Sequence, residues 1–119
     1  MKLRLLAVFA TTAALTVGVT TLGAGASATK TIQAHGIVAN TGNCSGAEFV
    51  INKLEPIVAP TSITVFFSNG SSAVFPLART GSTAHYRGDL PVGSSVSGAQ
   101  AVIDAGWSGQ FVLGDYVCS

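Results

Sequence analysis

Few residues in this chain have side chains that could do chemistry. His85 and Arg87 alternate with Ala84 and Tyr86, so an extended backbone sets Thr83, His85 and Arg87 on one face of a strand. An imidazole beside a guanidinium can donate hydrogen bonds to an anion or a carboxylate. An antiparallel sheet also carries such residues on its solvated outer face with no ligand at all. His85 and Arg87 are therefore candidate ligand contacts rather than catalytic groups. His35 stands between Ala34 and Gly36 with no second ligand beside it, and a three-ligand metal centre would need carboxylates that the spacing does not place.

Nucleophilic and acid-base arrangements fare no better. Gly106-Trp107-Ser108-Gly109 lacks the glycine spacing and the strand-turn-helix setting of a nucleophile elbow. Ser108, His85 and either Asp89 or Asp104 have the composition of a triad, but a triad is recognised by geometry. Glu48, Glu55, Asp89, Asp104 and Asp115 show no pairing that suits two-carboxylate cleavage of a glycoside. The expectation is a protein that is not an enzyme and uses no cofactor and no metal. Contact chemistry is then left to aromatic side chains. Trp107, in its glycine-flanked turn, either stacks on a sugar or anchors a protein contact if exposed, or packs over the core edge near the cysteines if turned inward.

The elements that must position these residues read as β-strands. Valine, isoleucine, threonine and phenylalanine are abundant after residue 28, turn residues recur at short intervals, and no segment has a helical period. Strands are expected over residues 31–39, 47–54, 62–67, 73–78, 83–87, 95–103 and 110–118. Seven short strands in a small domain suggest an antiparallel two-sheet sandwich, immunoglobulin-like in outline. Tyr116, two residues before Cys118, resembles the corner tyrosine of such folds.

The hairpin at Phe67-Ser68-Asn69-Gly70-Ser71 has two possible registers. A two-residue Asn69-Gly70 turn leaves both faces apolar. A three-residue loop ending in Gly70 puts Ile63, Val65 and Phe67 with Ala73 and Phe75, and leaves Thr64, Phe66, Ser72 and Val74 opposite. The second register is preferred because it segregates the faces. It turns Phe66 outward as a candidate contact. Residues 54–60 are apolar but bracketed by Pro56 and Pro60, so they read as a loop that caps the core or protrudes toward a partner.

Composition bounds the function classes. Lys2 and Arg4, an apolar stretch over residues 5–19 and the small-x-small triplet Ala26-Ser27-Ala28 read as a signal peptide over residues 1–28, cleaved after Ala28. Thr11, Thr12, Thr16 and Gly18 interrupt the stretch and no basic stop-transfer flank follows, which argues against a membrane anchor. What remains, residues 29–119, is roughly 90 residues and one domain. There Lys30, Lys53, Arg79 and Arg87 face five acidic residues, so no basic field exists for nucleic acid. The expected destination is secreted and extracellular, with no membrane association after cleavage. In that oxidising compartment Cys44 and Cys118, the two cysteines of the chain, are expected to pair. Closing a loop of about 75 residues would contribute roughly 4.5 kcal/mol by the chain-entropy argument.

The run Ser62-Ile63-Thr64-Val65-Phe66-Phe67-Ser68-Asn69-Gly70-Ser71, then Ala84-His85-Tyr86, then Gly106-Trp107-Ser108-Gly109-Gln110-Phe111 and the late cysteine resemble small, uncharacterised secreted actinobacterial proteins. The resemblance covers most of the chain after residue 28. It implies a β-sandwich with one disulfide and brings no activity.

Three functional classes follow. The first is a non-catalytic binding or surface-associated module for an extracellular polysaccharide or protein, with Trp107, Phe66, His85 and Arg87 as candidate contacts. The second is a secreted inhibitor of a hydrolase, presenting residues 54–60 or 90–93 as a rigid loop. The third is a self-assembling surface coat, suggested by low charge and strand edges.

Overall fold

The structure, a computed structural model, describes residues 28–41 and 43–118. The expected signal peptide, apart from Ala28, lies outside the described residues. The strands are β1 (Thr29–Gln33), β2 (Cys44–Ile51), β3 (Ser62–Phe67), β4 (Ser72–Arg79), β5 (Ala84–Asp89), β6 (Val96–Asp104) and β7 (Phe111–Cys118). No helix occurs among the described residues.

Each expected strand is present, with shifted ends that have local causes. β1 stops at Gln33 because the chain changes partner: Ala34 N–H still donates to Ala99 O of β6, whereas His35 N–H donates to Phe111 O and His35 O accepts from Leu113 N–H. Gly36, at φ 70°, then turns the chain away. β2 ends at Ile51, shortly before Lys53 takes φ 55°, a value that breaks an extended run.

Antiparallel pairing links all seven strands into one curled sheet, in the order β1-β6-β3-β4-β5-β2-β7. A separate pair of immunoglobulin-like sheets is not confirmed, because β4 joins the two halves. Its residues up to Pro76 pair β3, and Leu77 and Arg79 pair β5. Proline has no N–H to give a neighbour, and here it sits where the strand changes sides. Tyr116 is no local corner tyrosine either. Its hydroxyl donates to Val38 O at 2.6 Å and accepts from Val96 N–H at 3.2 Å, tying distant segments together.

The three-residue hairpin register is the one adopted. Ile63 faces Phe75 and Val65 faces Ala73, Gly70 N–H donates to Phe67 O, and Gly70 takes φ 89°. The concave face buries Ile63, Val65, Phe67 and Phe75 together with Phe49, Ile51, Ala84, Tyr86, Phe111 and Trp107. The ring of Phe75 lies over Gly88, where an added Cβ would come within 2.5 Å of it. In the loop of residues 54–60, Leu54 is buried and Ile57 packs on the core, while Val58 is exposed. The loop is thus mainly a cap.

Cys44 and Cys118 form the expected disulfide, directly opposite each other on β2 and β7. Reduction, or a Cys44→Ser/Cys118→Ser double variant, is expected to cost about 2–5 kcal/mol, read as a fall in the melting temperature; an unchanged melting curve would show that the staple contributes nothing. Gly88→Ala is expected to lose about 1–3 kcal/mol through overpacking against Phe75. Gly98→Ala, with nothing within 4 Å of the added carbon, should be close to neutral. Equal denaturation midpoints for the two variants would contradict this packing.

Candidate functional site

The concave side carries the core, and the curl gives the convex side two faces of different character. The first is charged. Glu48 on β2 faces Arg87 on β5 and Asp115 on β7, and Val50 next along β2 faces His85. Glu48 Oε2 lies 3.0 Å from His85 Nδ1 and Glu48 Oε1 accepts from Arg87 Nη2 at 3.4 Å. Arg79 Nη2 lies 3.4 Å from the same His85 nitrogen. The carboxylate that His85 and Arg87 were expected to seek is thus supplied by the protein's own Glu48. An exposed pair of this kind is worth about 0–1 kcal/mol. Thr83 precedes β5 and is not part of the strand.

Trp107 is not a stacking platform. It is only 5% exposed, its indole N–H donates to Asn52 O at 2.7 Å, and Lys30 Nζ donates to its carbonyl at 2.7 Å. The Lys30 ammonium also sits 5.8 Å from the ring centroid, a cation-π distance. The tryptophan does cover the edge of the core, but beside Asn52 just past Ile51, the opposite end of β2 from Cys44 and its disulfide. Asn52 organises this corner: its side-chain oxygen accepts from Gln110 N–H at 2.7 Å, and its own N–H donates to Gln110 O at 3.0 Å. His35 shares with Trp107, Phe111 and Ile32 a shallow cleft of about 180 Å³.

Two members of the candidate serine-histidine-aspartate set have other partners. His85 Nδ1 is engaged by Glu48, and Asp104 Oδ1 accepts from Gly106 N–H at 2.7 Å to shape the turn before Trp107. No group of three or more histidine, cysteine, aspartate or glutamate side chains is placed to hold a metal ion among the described residues.

The second convex face, over β6, β3 and β4, carries no charge around Phe66, with Asp104 standing at the far end of β6. Phe66 is 36% exposed there, with Val74 at 65% and Val102 at 58%. Thr64 lies between Val74 and Gln100 in the sheet, and Phe66 lies between Ser72 and Gly98. Next to them a cleft of about 280 Å³ is lined by Thr61, Ser62, Thr64, Gln100 and Val102, among others. Phe66 was legible from the hairpin register. The cleft was not, because it depends on β3 meeting β6 across the 28 residues of chain between Phe67 and Val96.

One rim of the cleft is held from the core. The buried Tyr86 donates its hydroxyl to Pro60 O at 2.6 Å, and Pro60 lines the opening. Compared with known proteins, the chain matches no family model, no curated protein and no solved structure.

Burial pushes the Tyr86 phenol up from its ordinary 10 to about 12. The folded chain therefore keeps a proton that the unfolded chain loses first, so the stability this group contributes is complete below pH 10 and is lost as pH rises toward about 12. Denaturation midpoints compared at neutral pH and at about pH 11 should fall on the alkaline side, and by less in Tyr86→Phe. An identical fall in both proteins would remove Tyr86 from the explanation.

Proposed function

We propose that this protein is a non-catalytic, secreted extracellular binding module whose ligand is a polysaccharide, held on the convex face of β6, β3 and β4. The observation that carries this reading is the pairing of an exposed aromatic, Phe66, with an adjoining cleft of hydroxyl and amide side chains, Ser62, Thr64 and Gln100. Sugars present apolar C–H surfaces and hydroxyl edges together, so a ring and a row of short polar groups meet both needs. The disulfide suits an oxidising, extracellular compartment, and a filled core makes the face a rigid support that loses little freedom on binding. A sandwich-like, immunoglobulin-like outline fits the curl at Pro76, with the halves on either side of it acting as two layers.

A second reading, the hydrolase inhibitor, is favoured by one feature. Val92 stands fully exposed between Pro91 and Gly93, on a turn whose neighbour Leu90 is held by a hydrogen bond to Ser45 O. An exposed apolar residue on an anchored turn suits insertion into a protein cleft.

Pull-down of the mature chain against insoluble cell walls, chitin and cellulose tests the first reading. Capture is expected for the wild type and for Val92→Ala, and a several-fold loss for Phe66→Ala with an unchanged melting curve. Trp107→Ala serves as the stability control, with a cost of about 3–5 kcal/mol read in the melting curve. Failure of every matrix to retain the wild type would remove the polysaccharide reading.

A further inference from the structure

The cleft beside Phe66 marks a place where the sheet comes apart. β3 keeps its pairing with β4 as far as Ser62 opposite Pro76, and β6 keeps its pairing with β1 as far as Asp104 opposite Thr29. Between them, the β3–β6 ladder stops at Thr64 opposite Gln100. The two inner strands therefore stay fastened to their outer neighbours while separating from each other.

The direction of the backbone groups there follows from the two-residue period of a strand. Phe67 N–H donates to Ser71 O and Leu77 N–H donates to Thr61 O, so residues 61, 63, 65 and 67 address β4 and Ser62 addresses β6. Ala34 N–H donates to Ala99 O, so residues 99, 101 and 103 address β1 and Val102 addresses β3. The missing rung is Ser62 with Val102. Their N–H and C=O groups point into the cleft without a ladder partner, open to solvent or to a ligand.

We infer that this splay is a subsite for one unit of a neutral sugar chain, whose hydroxyls bond the open main-chain groups of Ser62 and Val102 while the chain continues over Phe66. The inference rests on the polysaccharide-binding reading and adds to it the charge class of the ligand and the groups that hold it. None of the residues lining the cleft is charged, so nothing there would recognise a uronate, a phosphate or a sulfate, whereas N–H and C=O groups donate to and accept from hydroxyls equally. The volume of about 280 Å³ falls just under the roughly 300–1,000 Å³ of clefts that enclose drug-sized molecules. That scale suits a single unit. The charges of Glu48, His85 and Arg87 sit on the other convex face, so screening by salt should not affect binding here.

The test is titration of the ¹⁵N-labelled mature protein with soluble cello- and chito-oligosaccharides, at low and at high salt, alongside the matrix pull-down. The expected result is amide shifts centred on Ser62 and Val102, with an affinity that salt does not change. Ser62→Pro removes one open N–H without removing a bond to β4, and Thr64→Val removes a hydroxyl at the cleft with little change of shape. Each should retain the fold and weaken binding about three- to tenfold, the worth of one hydrogen bond. Should Ser62→Pro fail to fold, Thr64→Val and the shift map decide. Capture by a matrix with shifts only on the Glu48–His85–Arg87 face, with no shift at Ser62 or Val102, or with binding abolished by salt, overturns the inference and leaves the polysaccharide reading standing. Absence of binding to every oligosaccharide and every matrix overturns both.

Discussion

Four phenylalanine rings in sequence across the concave face hold the sheet in its curl. Phe67 of β3 meets Phe75 of β4 at 6.3 Å between centroids, Phe75 meets Phe49 of β2 at 6.1 Å, and Phe49 meets Phe111 of β7 at 6.0 Å. With no helix among the described residues, one face of the sheet is covered by that same sheet, and the Phe75–Phe49 contact bridges β4 and β2, which do not pair. Phe75 reaches Phe49 by lying across β5, and the absence of a side chain at Gly88 gives it room.

The concave side carries the core. The curl divides the outside into a charged half, where Glu48 neutralises Arg87 and engages His85, and an uncharged half around Phe66. On the charged half Glu48 thus takes up both His85 and Arg87. On the uncharged half, β3 and β6 stop pairing beyond Thr64 and Gln100 and leave an opening beside Phe66. Tyr86 couples core and cleft, with its ring in the core and its hydroxyl on the Pro60 carbonyl at the cleft rim.

Local chemistry was readable wherever the deciding residues are neighbours in the chain. The seven strands followed from apolar runs and turn residues, and the hairpin register followed from the need to separate Ile63, Val65 and Phe67 from Phe66. Strand ends moved where a distant partner intervened, as at His35, whose backbone bonds Phe111 and Leu113. Trp107 could be read as exposed or buried until Asn52, fifty-five residues away, was seen to accept its indole proton.

Composition, alternation and the count of cysteines were enough to give the all-β character and seven strands of the described residues, the outward side of Phe66 and the disulfide. Only the tertiary structure decided that the strands form one curled sheet, that Glu48 occupies His85 and Arg87, that Trp107 is core, and that β3 and β6 part beside Phe66. Each of these depends on which strand lies next to which. Strand order is set by the burial of the whole concave face, a sum over long-range contacts that no local run of residues contains.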